Sequence, residues 1–216
     1  MKNIENNNIH TKIIVLKWIK FLDSTFISKI KLNDKEKIFY NSLSEKRKKE
    51  FLGIRLGIRC ILKYIGIKIS VIYNEKKKFF FLFHNKKYIS LSHSYDRMAI
   101  AISSFNVGID IEKFRLDNKI MNIKNKFIRK DENSFIRKKY EKDYLHIIWG
   151  IKESLYKLSK GIFYNFLKNY KVSPFCIDAN SYISCWILKK NYSKKFYAFY
   201  RKIKNYYLVY SIDLDI

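Results

Sequence analysis

A chain of 216 residues is long enough for one large domain or two small ones with a real core. Hydrophobic residues make up 48%, which excludes a disordered tail, and a single proline with six glycines leaves little linker punctuation. The formal net charge of +26 predicts a strongly positive surface that attracts nucleic acid, anionic lipid, polyphosphate cofactors or acidic proteins, without choosing among them.

The Lys, Ile, Asn, Tyr and Phe bias runs from end to end, a compositional drift that discounts the charge as a functional clue. Cys60, Cys176 and Cys185 form no C-x-x-C pair and have no histidine cluster beside them. That argues against a zinc site or a disulfide framework, and for buried free thiols in a reducing cytosol. The start MKNIENNNIH is polar, and no apolar run approaches the ~20 residues that cross a bilayer, so a soluble cytoplasmic protein is expected.

Residues 1–12 read as a frayed polar start and 13–21 as a strand or short helix. Ser42-Leu43-Ser44 ahead of Glu45 and Lys46 marks a helix start. From there Phe51, Leu52, Ile54, Leu56, Ile58, Ile61, Leu62 and Ile65 recur at three- and four-residue spacing. The spacing predicts an amphipathic helix over 44–65, capped by Gly66. It carries Arg47, Arg55 and Arg59; the last two are one turn apart, a solvated basic face or an anion site. Strands are predicted at 69–73, 79–83, 88–92 and 98–103, the first three separated by the basic turns Lys76-Lys77-Lys78 and Asn85-Lys86-Lys87. Alternation places Ser90, Ser92 and Ser94 on one side, with His93 just past a strand end. Hydroxyls and an imidazole there suit phosphate, a structural histidine being the alternative.

After Phe105-Asn106, the stretch Val107-Gly108-Ile109-Asp110-Ile111-Glu112 alternates with period two. In a strand Val107, Ile109 and Ile111 point one way, and Gly108, Asp110 and Glu112 the other. Two carboxylates side by side raise each other's pKa unless a cation, a lysine or a divalent metal, sits between them. A solvated acidic edge is the plainer alternative. Residues 113–143 are charged and irregular, anchored by Phe127 and Ile128. A second helix runs from Asp143 through Tyr144, Leu145, Ile148, Trp149, Ile151, Leu155, Tyr156 and Leu158 to a Gly161 cap. On it Glu153 and Lys157 are one turn apart. They either pair with each other, worth about 0.2–0.5 kcal/mol, or supply a third carboxylate and a cation to the Asp110–Glu112 site. Strands are predicted at 170–172, 175–177, 182–188, 196–201 and 206–212. Strands in blocks after each helix predict an α+β fold in two halves, 1–104 and 105–216, rather than a doubly wound sheet.

These motifs together carry a resemblance. Gly108-Ile109-Asp110-Ile111-Glu112, about forty residues before Trp149-Gly150-Ile151-Lys152-Glu153-Ser154-Leu155-Tyr156-Lys157, resembles the paired signature of 4′-phosphopantetheinyl transferases. Ile89-Ser90-Leu91-Ser92-His93-Ser94 is similar to that family's Ser-His segment. Lys46-Arg47 with Glu50-Phe51-Leu52-Gly53-Ile54-Arg55 resembles its N-terminal helix, and Phe127 with Glu132 fits its spacer. The match covers residues 43–172. The length resembles the larger, surfactin-synthetase-activating type, which implies a monomer of two similar α+β halves related by a pseudo-twofold, with coenzyme A between them. One departure stands out: Lys77-Lys78-Phe79 occupies the place of the family's Gly-Lys-Pro hairpin.

The resemblance implies transfer of phosphopantetheine from coenzyme A to a serine of an acidic acyl or peptidyl carrier protein, releasing adenosine 3′,5′-bisphosphate. It implies that Asp110, Glu112 and Glu153 ligate Mg2+, or Mn2+, and that Lys157 and Lys152 neutralise the pyrophosphate. His93 and Ser92 would bind phosphate, with Arg47, Arg55 and Lys78 on the 3′-phosphate side. Glu153 would relay the serine proton, with Lys157 and His93 as the other catalytic groups. Two rivals are a nucleic-acid-binding basic module, suggested by the charge and 17% aromatic content, and an inactive relative that only binds carrier protein. Against the first, the aromatics fall mostly within apolar strand patterns, as core residues do.

Overall fold

The two stretches with clear helical periodicity form the two long helices, and each covers one sheet with its apolar stripe. The computed structural model describes residues 2–5, 11–21, 30, 32, 34–66, 72–74, 79–81, 88–114, 117–177, 179 and 181–214. In chain order the elements begin with β1 (Lys2–Glu5), β2 (Thr11–Lys17), a 3-10 turn (Trp18–Phe21), α1 (Asp34–Asn41) and α2 (Glu45–Tyr64). There follow β3 (Ile72–Asn74), β4 (Phe79–Phe81), β5 (Tyr88–Ser94), β6 (Arg97–Ser103) and β7 (Val107–Lys113). Short helices α3 (Lys119–Asn122) and α4 (Lys130–Asn133) lead to α5 (Glu141–Leu158) and α6 (Phe166–Asn169). The chain closes with β8 (Tyr170–Val172), β9 (Ile183–Lys189), β10 (Tyr192–Ile203) and β11 (Tyr206–Ile212).

The strands form an antiparallel sheet in the order β1-β2-β6-β5, another in the order β7-β11-β10-β9-β8, and a small β3-β4 hairpin. The architecture is α+β. Helix α2 packs Ile54, Ile58, Ile61 and Leu62 onto Ile14, Ile89, Met98, Ile100 and Ile102 of the first sheet. Helix α5 packs Leu145, Ile148, Ile151 and Leu155 onto the second, around Tyr170, Cys185, Tyr207 and Val209. Between the sheets a third cluster joins Ile13, Val15, Ala99 and Ala101 to Val107, Ile109, Ile111, Leu208 and Ile212. Ile109 and Ile111 are at most 1% exposed. Full burial of such a side chain stabilises by about 1.5–3 kcal/mol. Strand β7 is thus clamped on its apolar face by the sheet interface, which leaves its other face to α5.

Several expectations change. The expected frayed start holds β1, paired along β2 from Lys2 opposite Val15 to Glu5 opposite Lys12. Backbone pairing needs no apolar pattern, so composition hid it. The 13–21 stretch is both options in turn, strand then 3-10 helix. Helix α1, with its Asp34 and Glu36 in the first turn, was not anticipated. Strand β5 continues through His93 to Ser94, because the Tyr95-Asp96 turn, with Tyr95 at φ 55°, comes later. The strand expected at 175–177 is not formed; Phe175 is buried in a loop whose carbonyl accepts from the Tyr144 hydroxyl. Lys77 and Lys78 lie outside the described residues. The three cysteines are free, but only Cys185 is fully buried; Cys60 and Cys176 are partly accessible. Among the described residues no helix is long and apolar enough to cross a membrane.

Candidate active site

Two glycines decide how closely α5 approaches the sheet. A Cβ on Gly108 would stand 1.8 Å from the Ser154 carbonyl oxygen, and one on Gly150 would stand 2.6 Å from Val209 Cγ2. With hydrogens there instead, helix and strands meet backbone to backbone, and Ser154 Oγ reaches Ser211 Oγ at 2.6 Å. Asp110 follows Gly108 on the same face of β7. Glu153 and Lys157 follow Gly150 on the same face of α5, at three- and seven-residue spacing. The missing side chains therefore set the distance between the charged ones.

Lys157 Nζ donates to Asp110 Oδ1 at 2.8 Å, to Ser92 Oγ at 2.9 Å and to the Ile109 carbonyl at 2.9 Å. Asp110 is 6% exposed. Ser92 Oγ in turn donates to Asp110 Oδ1 at 2.8 Å. The flanking serines do related work. Ser90 Oγ accepts from Ile109 N at 3.0 Å, and Ser94 Oγ accepts from Lys113 N at 3.2 Å. Strand β7 is an edge in backbone pairing, and these hydroxyls supply acceptors that a neighbouring strand would otherwise provide. The alternating serines join the two sheets and carry Ser92 into the site. The Ser-x-Ser-x-Ser alternation was visible in the sequence, but the strand it faces was not.

Glu153 is half-buried beside this pair. Burial and the Asp110 charge push its carboxyl up to about 7, Glu112 adds to the rise, and the Lys157 ammonium opposes it. The Asp110 and Glu112 charges thus both reach Glu153. Among the described residues no three histidine, cysteine or acidic side chains stand as an assembled metal cage. The donor set itself suits a hard divalent cation: three carboxylates, one of them held up to about 7 by burial and by the neighbouring Asp110 charge.

His93 lies on the opposite face of β5, toward α2. Its Nδ1 is 3.2 Å from Glu50 Oε1, and Glu50 Oε2 accepts from Arg47 Nη1 at 3.0 Å. Partial desolvation by the packed α2–β5 contact lowers the His93 pKa, though 36% of its side chain stays exposed, and the Lys157 and Arg47 charges push the same way, against Glu50 and Asp110. The ring is therefore neutral near pH 7. Glu50 is the residue that sequence reasoning missed; its spacing of three from Arg47 on a helix was the available signal.

Two expected cofactor ligands are placed elsewhere. Lys152 is fully buried and donates to the Phe127 carbonyl at 2.6 Å, Glu132 Oε2 at 2.7 Å and the Phe166 carbonyl at 3.4 Å. Its ammonium is enclosed by these partners and held away from solvent, the opposite of the open placement expected of a pyrophosphate contact. Glu132 also accepts from Arg129 N and Val172 N, both at 2.9 Å, so the pair ties α4, α5 and β8 together. Arg55 is bound to Glu36 Oε1 at 2.9 Å and stacks on Phe51, its guanidinium carbon 3.2 Å from the ring centroid. It braces α1 against α2, which leaves Arg47, with its exposed side chain, as the cation of that helix facing the site.

No curated protein matches the chain. A family model does, over residues 106–210, the segment that contains β7, α5 and most of β11 and leaves out Arg47, Ser92 and His93. The geometry of Gly108, Asp110, Glu153 and Lys157 falls inside it, and residues 106–210 are similar to the 4′-phosphopantetheinyl transferase superfamily that this model describes.

Proposed function

We propose that the chain transfers the 4′-phosphopantetheine group of coenzyme A to a serine of an apo carrier protein, releasing adenosine 3′,5′-bisphosphate. The observation that supports this best is the meeting of Lys157, Ser92 and Asp110 beside a half-buried Glu153, where a cation, a hydroxyl and a carboxylate of raised pKa come together. The serine oxygen attacks the β-phosphorus of the pyrophosphate, and the bridging oxygen leaves with the adenosine-bearing phosphate. Charge builds on phosphoryl oxygens, so positioning and positive charge supply most of the catalysis. Lys157 neutralises that charge, while Ser92, with His93 and Arg47 on the α2 side, holds phosphate oxygens. Glu153 takes the serine proton, directly or through water; a carboxyl titrating near the working pH suits a general base.

Asp110, Glu112 and Glu153 would hold a Mg2+ ion, which supplies further neutralisation of the pyrophosphate when bound. We read the two helix-on-sheet blocks, α2 on the first sheet and α5 on the second, as the pseudo-twofold halves of the larger type, with coenzyme A between them. The carrier is acidic, drawn by the net charge of +26.

The test is incubation with apo carrier proteins, coenzyme A and Mg2+, followed by mass spectrometry of the carrier. A phosphopantetheine adduct on serine is expected, and it should be lost in Asp110→Asn and Glu153→Gln proteins that keep their fold. If acyl, polyketide and peptidyl carriers all remain unmodified by the parent protein, the proposal is wrong.

A further inference from the structure

The contact between α2 and β5 has a consequence for how His93 meets a phosphate. We propose that Glu50 is a positioning residue that keeps the His93 proton on Nδ1, so that the ring can hold a phosphate of coenzyme A only by taking up a second proton on Nε2. This rests on the reading of the protein as a phosphopantetheinyl transferase.

The argument starts from the two faces of β5. Ser90, Ser92 and Ser94 turn to β7, so His93 turns to α2 and meets Glu50 at 3.2 Å from Nδ1. A carboxylate only accepts, so the nitrogen facing it carries the hydrogen. A neutral ring then has a lone pair on Nε2, the nitrogen left for a ligand, and a lone pair repels phosphate oxygen. Glu50 does not swing freely to relieve this, because Arg47 holds its other oxygen at 3.0 Å and its side chain is 19% exposed.

The groups facing His93 are few and opposed in sign. Glu50 on α2 and Asp110 on β7 favour the imidazolium; Arg47 on α2 and Lys157 on α5, together with burial, disfavour it. An arriving phosphate adds negative charge to a nearly balanced site and draws the proton from solvent. An opposite charge within hydrogen-bonding distance shifts a pKa by about 1–3 units. Replacing Glu50 by a neutral residue should therefore lower the protonated fraction at least about tenfold at pH 8. The expected outcome is a comparable rise in KM for coenzyme A at that pH, with kcat changed less. At pH 6 the rise should shrink, because the ring is protonated more readily there.

Two measurements test this. Nitrogen-15 NMR of the histidine rings in the free protein reads the tautomer without any appeal to catalysis. The His93 hydrogen is expected on Nδ1 in the parent protein and on Nε2 in Glu50→Ala. A hydrogen on Nε2 in the parent overturns the proposal. Calorimetric titration with coenzyme A in buffers of different ionisation enthalpy then counts protons. At pH 8 an uptake is expected in the parent, reduced in Glu50→Gln and absent in His93→Asn, while 3′-dephospho-coenzyme A shows whether the 3′-phosphate is the one held. Binding and transfer with equal uptake in parent and Glu50→Gln would sink the positioning role and leave the transferase reading intact. No binding of coenzyme A by the parent would sink both.

Discussion

Lys152 and Lys157 show how much a single position on a helix decides. They are five residues apart, about 140° around the helix at 100° per residue, so they cannot share a face. Lys157 meets Asp110 beside Glu153, and Lys152 is sealed against Glu132. Removing one partner of a buried pair costs about 3–5 kcal/mol, because the other charge is left without compensation. Lys152→Met should therefore lower the denaturation midpoint strongly, while the folded fraction keeps its KM for coenzyme A. A selective rise in that KM with unchanged stability would return Lys152 to the cofactor site. Glu153 makes a prediction with a sign. Its folded pKa of about 7 lies above the ordinary 4.5, so the native state retains a proton that the unfolded chain gives up. Its contribution to stability is fully present below pH 4.5 and is lost as pH rises through about 7. His93 runs the other way: its lowered pKa means that stability is lost as pH falls below 6.5. Urea denaturation of the metal-free protein should show the fall in stability above pH 6.5 flattened in Glu153→Gln and kept in His93→Asn, whereas the fall below pH 6.5 should be reduced in His93→Asn.

At the scale of elements, the site depends on the distance between α5 and β7. Gly108→Ala would place its methyl against the Ser154 backbone, which cannot rotate away, whereas Gly150→Ala meets a Val209 methyl that can shift. Overpacking of this kind typically costs about 1–3 kcal/mol, and Gly108→Ala should sit at or above the upper end. It should also abolish transfer in the molecules that stay folded, because Asp110 and Lys157 are driven apart. Equal stability and activity for the two variants would show that helix and strand adjust together, and that the close approach is not what holds the site. The serine junction belongs to the same scale. Ser90 and Ser94 accept from backbone N–H groups of β7, which holds β5 beside the site.

Over the whole molecule, the proposed function gives the net charge of +26 a role in encounter rather than in chemistry. Attraction between exposed charges is screened beyond about 8 Å at physiological ionic strength. Lys157 and Asp110, each at most 14% exposed in their side chains, are shielded from that screening. Raising salt from 50 to 300 mM should therefore increase KM for an acidic carrier several-fold while kcat at saturating carrier changes little. A fall in kcat of the same size would place the salt-sensitive charges in the site itself.

Some of this was readable along the chain. Period-two alternation is enough to say that Ile109 and Ile111 go one way and Asp110 the other, because the pleat leaves no third option. Three- and four-residue apolar spacing with Gly66 and Gly161 beyond the ends was enough to find both long helices, which end at Tyr64 and Leu158. These are local rules, in which each residue is judged by its neighbours in sequence. Which lysine meets the acidic strand, which carboxylate holds His93, and that three serines join two sheets all depend on residues 18 to 65 positions apart along the chain. Only the packed structure decided those, because two glycines and a shared core set the separation of the elements, and separation governs which charges pair.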